Sequence, residues 1–168
     1  MNPQDVQTLL DFHYWARDRM LDAVEQLTGD QFTRDLGSSF PSIRETVVHM
    51  FGAERNWYLR WQGESPTPLP PNGFQDPKEI RGTWRALEQQ MRTFVRGLDA
   101  QGLERVVAYK RPNGEQTASM MWHMLQHVVN HASYHRGQVT TLMRQMGAAP
   151  PKSTDLITYY RESGAKSE

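Results

Sequence analysis

"HVVNHASYHRGQV", His127 to Val139, sets three histidines at four-residue intervals in a chain that has six. Four-residue spacing is the repeat of one helix face, so the stretch reads as helix. The residues around it extend that reading both ways. At about 100° per residue, Met121, Met124, Leu125, Val128, Ala132, Val139, Leu142, Met143 and Met146 trace one apolar stripe. The pattern predicts a long helix from near Ser119 to Gly147, a good left-handed C-terminal residue, with Pro150 close behind. His135 falls inside the stripe. His131 lies on its edge, about 40° from His135, and His127 is displaced by about the same again.

A helix with one apolar stripe needs partners, and three other segments supply them. Pro3 to about Leu27 carries Val6, Leu9, Leu10, His13, Met20, Val24 and Leu27 on one face, with "TGD" at Thr28 to Asp30 as its end. "SIRE" opens a second helix at Ser42, where Ser42 and Glu45 form a capping box. Its broad apolar face runs from Ile43 to Trp61, and Gly63 with the proline-rich "SPTPLPPNG" stops it. "DPKE" opens a third, with Asp76 as cap, Pro77 at the first position, Glu79 closing the box and Gly102 marking the end. Between the third and last helices, Val106 to Tyr109 followed by Asn113-Gly114 reads as a small hairpin or extended loop. Leu156, Ile157, Tyr159 and Tyr160 are expected to pack back on the bundle. The expectation is an all-α four-helix bundle with a short hairpin insert, one domain over 1–163 and a frayed tail over 164–168.

The 168 residues suffice for one sizeable core. Nineteen basic residues balance nineteen acidic ones, so the net field offers no attraction to phosphate backbones or anionic lipid, and no nucleic-acid partner is expected. Gln116 to His135 is free of acidic and basic side chains other than histidine and is long enough to span a bilayer. Its four histidines, two glutamines and asparagine would be costly there, so a buried helix fits better. The start, "MNPQDVQTLL", has no basic residue and no apolar run; a cytoplasmic protein is expected. Cysteine is absent, which excludes disulfides, thiolate metal sites and a protein-borne thiol nucleophile.

Histidine is common on helix surfaces, and a pair at i and i+4 arises by chance. His131 and His135 nevertheless face inward together, and such a pair reaches a single cation while leaving it under-coordinated. The third ligand must come from another helix. His49 is the candidate: it lies off the main apolar stripe of its helix, beside the small uncharged Thr46, Gly52, Ala53 and Asn56. His127 stands as a supporting or exposed residue, or as a replacement for His131 in an alternative register. His123 reads as a surface residue and His13 as a core histidine. Glu54 interrupts an apolar stripe, which calls for pairing with a buried arginine or a place over the cavity. Gly137, in mid-helix, costs stability unless close packing requires it.

At these residues the chain resembles a known family. "HVVNHASYHRGQV", "LMRQMG", Pro150-Pro151, "DLITYYRE" and the lone histidine of "SIRETVVHMFGAERNWYLRW" closely resemble the DinB family of metal-binding four-helix bundles. "FHYWARDRML" is similar to its first helix, with Arg17 where the family often has asparagine. The resemblance implies an up-down-down-up bundle, a frequent homodimer, and a divalent metal held by three histidines, carried over as His49, His131 and His135. It also implies kinship with transferases and isomerases that use low-molecular-weight thiols.

Three neutral imidazoles with open positions describe a catalytic rather than a structural site. Two chemistries follow: acidifying water for hydrolysis, or activating a thiol carried by a co-substrate, which suits a chain without cysteine. Imidazole suits zinc and nickel, with iron and copper left open. Gln138 or Asp155 is the expected support of the ligands. The favoured expectation is a thiol transferase on a small molecule, next a hydrolase. The rival is a non-catalytic, stress-induced bundle that binds metal or a small ligand.

Overall fold

A computed structural model describes residues 1–70, 73–111 and 113–164. Asn2 caps α1 (Pro3–Val24): its side chain accepts from the Asp5 N–H, and Asp5 returns the bond. The expected stop at Thr28 is also a start. Thr28 and Gln31 form a second box and open a short helix, α2 (Gly29–Thr33), which buries Phe32. Ser42 and Glu45 cap α3 (Ile43–Trp61) as the sequence predicts. Each box satisfies amide donors that the first helical turn leaves unpaired.

α4 (Pro77–Arg96) opens at Asp76 and Pro77, but its box does not close. Asp76 Oδ1 accepts from the Lys78 N–H at 2.8 Å, and Glu79 bonds the cap through its backbone N–H to the Asp76 carbonyl rather than through its side chain. The helix also stops at Gly97, short of the expected Gly102. Asp99 begins a further turn there, α5 (Ala100–Glu104), accepting from the Gly102 N–H at 2.7 Å while Leu103 is buried. The expected hairpin is present as β1 (Val106–Lys110) and β2 (Gln116–Met120), antiparallel from Val106↔Met120 to Lys110↔Gln116. α6 (Met121–Gln145) starts two residues beyond Ser119, which is held in the ladder opposite Val107. α3 and α6 both end in a left-handed glycine, Gly63 at φ 80° and Gly147 at φ 75°. In each, the next two N–H groups close back onto the last turn, Gly147 to Arg144 and Ala148 to Met143 in α6.

α7 (Leu156–Gly164) corrects the expectation for the tail. Tyr159 packs on Phe12 and Trp15, with ring centroids 5.8 and 5.5 Å apart, while Leu156, Ile157 and Tyr160 stay exposed. Arg19 tethers the helix through Glu162 at 2.6 Å and the Ser153 carbonyl at 2.8 Å. Gly164 belongs to α7; the remainder of the expected frayed tail, 165–168, lies outside the described residues.

Side-chain pairing gives the direction of each long helix. Arg81 reaches Asp22 and Glu25, Arg17 reaches Glu88, and Arg92 reaches Asp11, so α1 and α4 run antiparallel. Phe51 meets Trp84 and Trp61 meets Phe94, so α3 and α4 run parallel. His49 meets His135 and Trp57 meets His127, so α3 and α6 run antiparallel. The result is an up-down-down-up four-helix bundle. Its core is led by Trp84, Tyr14, Met20, Ile43, Ile80 and Met91, and burial of each isoleucine or methionine stabilises the fold by roughly 1.5–3 kcal/mol. Among the described residues, no helix is long and apolar enough to cross a membrane.

Candidate metal centre

Because α3 and α6 lie side by side and antiparallel, the middle of one faces the middle of the other. His49 of α3 meets His131 and His135 of α6 at that level. His131 Nε2 stands 3.1 Å from His49 Nε2 and 3.1 Å from His135 Nε2, and the three ligand atoms all lie within 4.8 Å of one another. A tetrahedral cation holding nitrogens at about 2.0–2.1 Å would space them by about 3.3 Å. The two separations that involve His131 are close to that, and the whole group stays within 4.8 Å.

The electrostatics agree. Burial, then the neighbouring His135, lowers the His49 pKa to about 4. Burial, then His135, His49 and His127, lowers that of His131 to about 4. Burial lowers His135 too, against a hydrogen bond with Gln138 that works the other way. At neutral pH all three rings are therefore uncharged. His135 Nδ1 lies 2.6 Å from Gln138 Oε1. An amide oxygen only accepts, so Nδ1 carries the proton and Nε2 turns its lone pair toward the group. A free lone pair on His135 Nε2, with the neutral rings of His49 and His131 beside it, fits a divalent cation.

Gln138 thus bonds one of the three grouped histidines. Asp155 does not: its carboxylate accepts from Ser153 Oγ at 2.9 Å. Phe40 is the residue that sequence reasoning missed. Its ring stacks on His49 with centroids 4.1 Å apart and meets His135 edge-on at 5.6 Å, so one side chain fixes two imidazole planes. The only advance signal was an aromatic residue just before the Pro41-Ser42 entry to α3. His127 stays outside the group, exposed, with its ring 5.7 Å from His131 and edge-on to Trp57 at 5.4 Å. His123 is a surface residue, beside Trp122.

Glu54 is buried but not paired with arginine. Its carboxylate takes hydrogen bonds from Tyr14 Oη and Trp84 Nε1 and bonds His13 Nε2, each at 2.8 Å. Burial works to raise its pKa, but His13 and the donated hydrogen bonds outweigh that and hold it below the ordinary value. Arg17 lies over the Tyr14 ring and takes its ion pairs from Asp18 and Glu88 instead. His13 is accordingly a core histidine, in a polar cluster that ties α1, α3 and α4 together.

Beside His49 a cleft of about 380 Å³ runs along α3, floored by Gly52 and Ala53 and extending past Asn56 and Trp57 to Arg60. The small residues noted in the sequence around His49 are what leave this space open.

The DinB family model matches residues 1–165. The chain belongs to the DinB family. A DinB relative, Protein DinB of Bacillus subtilis (strain 168), is 22% identical over 149 residues, covering 84% of this chain and 86% of that protein. Among solved structures, B. subtilis YfiT, described as a probable metal-dependent hydrolase with an unusual four-helix bundle topology, superposes with a TM-score of 0.72. It is 18% identical and covers 89% of this chain and 91% of YfiT. A DinB-like protein of Bacillus cereus ATCC 10987 superposes with a TM-score of 0.64 at 18% identity, covering 86% of this chain and 95% of the other. The bundle is therefore the DinB fold.

Proposed function

We propose that this DinB protein is a metal-dependent enzyme acting on a small molecule in the cytoplasm. His49, His131 and His135 hold one divalent cation, zinc or nickel, and the reaction is transfer of a low-molecular-weight thiol. The observation that carries this reading is three imidazoles converging from two helices, one of which, His49, also lines a cleft. A bound cation supplies Lewis acidity, which lowers the pKa of water or a thiol brought to it. The chain's own part is positional. Gln138 fixes the tautomer of His135, Phe40 fixes two ring planes, and the Gly52–Ala53 floor leaves room for a substrate.

Thiol transfer is favoured over hydrolysis because the histidine group includes no carboxylate to serve as general base, and the chain has no cysteine of its own. In the transfer, the incoming sulfur bonds to an electrophilic carbon, the leaving group departs with its electron pair, and the thiol proton passes to solvent. Hydrolysis is the second reading, supported by the description of YfiT. A homodimer, implied by the family resemblance, completes the proposal. The test is an assay of tag-free, metal-loaded protein with a small thiol and a haloarene electrophile. Thioether formation should disappear with chelator and in His135→Ala. A fully metal-loaded protein with neither thiol transfer nor hydrolysis would instead be a binding bundle.

A further inference from the structure

The far end of the cleft holds a cation, Arg60, with no acidic partner among the described residues. Arg60 lines the same cleft as His49, yet no carboxylate pairs with it among the described residues, and its Nε is buried without a hydrogen-bond partner. Arg17, Arg81 and Arg92, at the helix interfaces, each have acidic partners. The Arg60 guanidinium is also held in place. Its carbon lies 5.0 Å from the Trp57 ring centroid and 5.7 Å from that of Tyr109, and those two rings meet edge-on at 5.1 Å. One turn nearer His49, Asn56 has a buried Oδ1 with no donor. Arg60 and Asn56 thus line one cleft, each with a buried polar atom unmet, and a buried polar group is costly when left so.

We propose that Arg60 and Asn56 form an anion-binding subsite, selecting substrates that carry a carboxylate at the end remote from the histidine group. The proposal rests on the metal-enzyme reading for what happens at the other end. A guanidinium matches a carboxylate by a two-pronged fork of N–H donors. The Asn56 oxygen asks for an N–H or O–H next to that carboxylate. Residues 49 and 60 lie on nearly the same helix face, with Cα atoms about 16 Å apart at about 1.5 Å per residue. Arg60 leans back toward His49 across Trp57, which shortens the gap. An elongated acid spans it; a two-carbon acid does not.

The test uses the whole protein, zinc-loaded and chelator-stripped, titrated with mercaptoacetate, mercaptohexanoate, mercaptooctanoate and the alcohols matching the longer two. The readouts are the Arg60 Nε–H resonance and the dissociation constant. We expect the long acids to shift that resonance in both forms of the protein and to bind at least about 10-fold tighter than the alcohols. Arg60→Gln should abolish the preference, and Arg60→Lys, which keeps the charge but not the fork, should retain part of it. Equal binding of acids and alcohols by wild type, or an acid preference that survives in Arg60→Gln, overturns the subsite. Acid binding at Arg60 in a protein that retains no zinc upholds the subsite while removing the metal-enzyme reading.

Discussion

Glu54 shows how one side chain joins three helices. Glu54→Gln leaves the carboxylate's three partners facing an amide that accepts at only one atom. Breaking such a buried cluster costs about 2–4 kcal/mol, so urea unfolding should register a loss of that size while metal content stays unchanged. The histidines of the candidate centre predict a pH dependence in chelator-stripped protein. Their folded pKa values are depressed, to about 4 for His49 and His131, from an ordinary value of 6.5. The unfolded chain takes up protons first as pH falls, so their contribution is whole above 6.5 and is lost on the way down to about 4. Stability measured across that window should fall with acid, and less steeply in a His49→Ala/His131→Ala double variant. Equal slopes would mean these imidazoles are not held neutral.

At the scale of elements, Gly137 offers a clean prediction. It is exposed inside α6, and an added Cβ would meet nothing within 4 Å. Gly137→Ala should raise stability by about 0.5–1 kcal/mol, read by thermal or urea unfolding. A loss would show that another surface covers this face in solution. The helices themselves were legible because caps and stripes obey local rules: Ser42 with Glu45, Gly63 and Gly147 all do what residue type demands. The misses were local rules read too narrowly. "TGDQ" satisfies the capping-box pattern as well as a stop signal, so α2 was there to be read. Gly102 signals an end, but Asp99, three residues earlier, is a cap in its own right. The exposed side of α7 was not legible, because a hydrophobic run says nothing about how many of its members find a partner.

At the scale of the molecule, the candidate centre depends on topology. His49 is far from His131 and His135 along the chain and meets them only because the crossover between α3 and α4 keeps those two parallel and leaves α3 antiparallel to α6. The histidine pair was legible from its four-residue spacing, and His49 from the small residues beside it. Phe40 and the Glu54 cluster were not, because both rest on contacts between segments that no single-helix pattern encodes. The most direct test of the account is metal content by mass spectrometry of tag-free protein, wild type beside His49→Ala and His135→Ala. We predict about one divalent ion per chain in wild type and its loss in both variants, with the bundle still folded by circular dichroism. Retention of the full metal content in folded His49→Ala would contradict a shared site between α3 and α6.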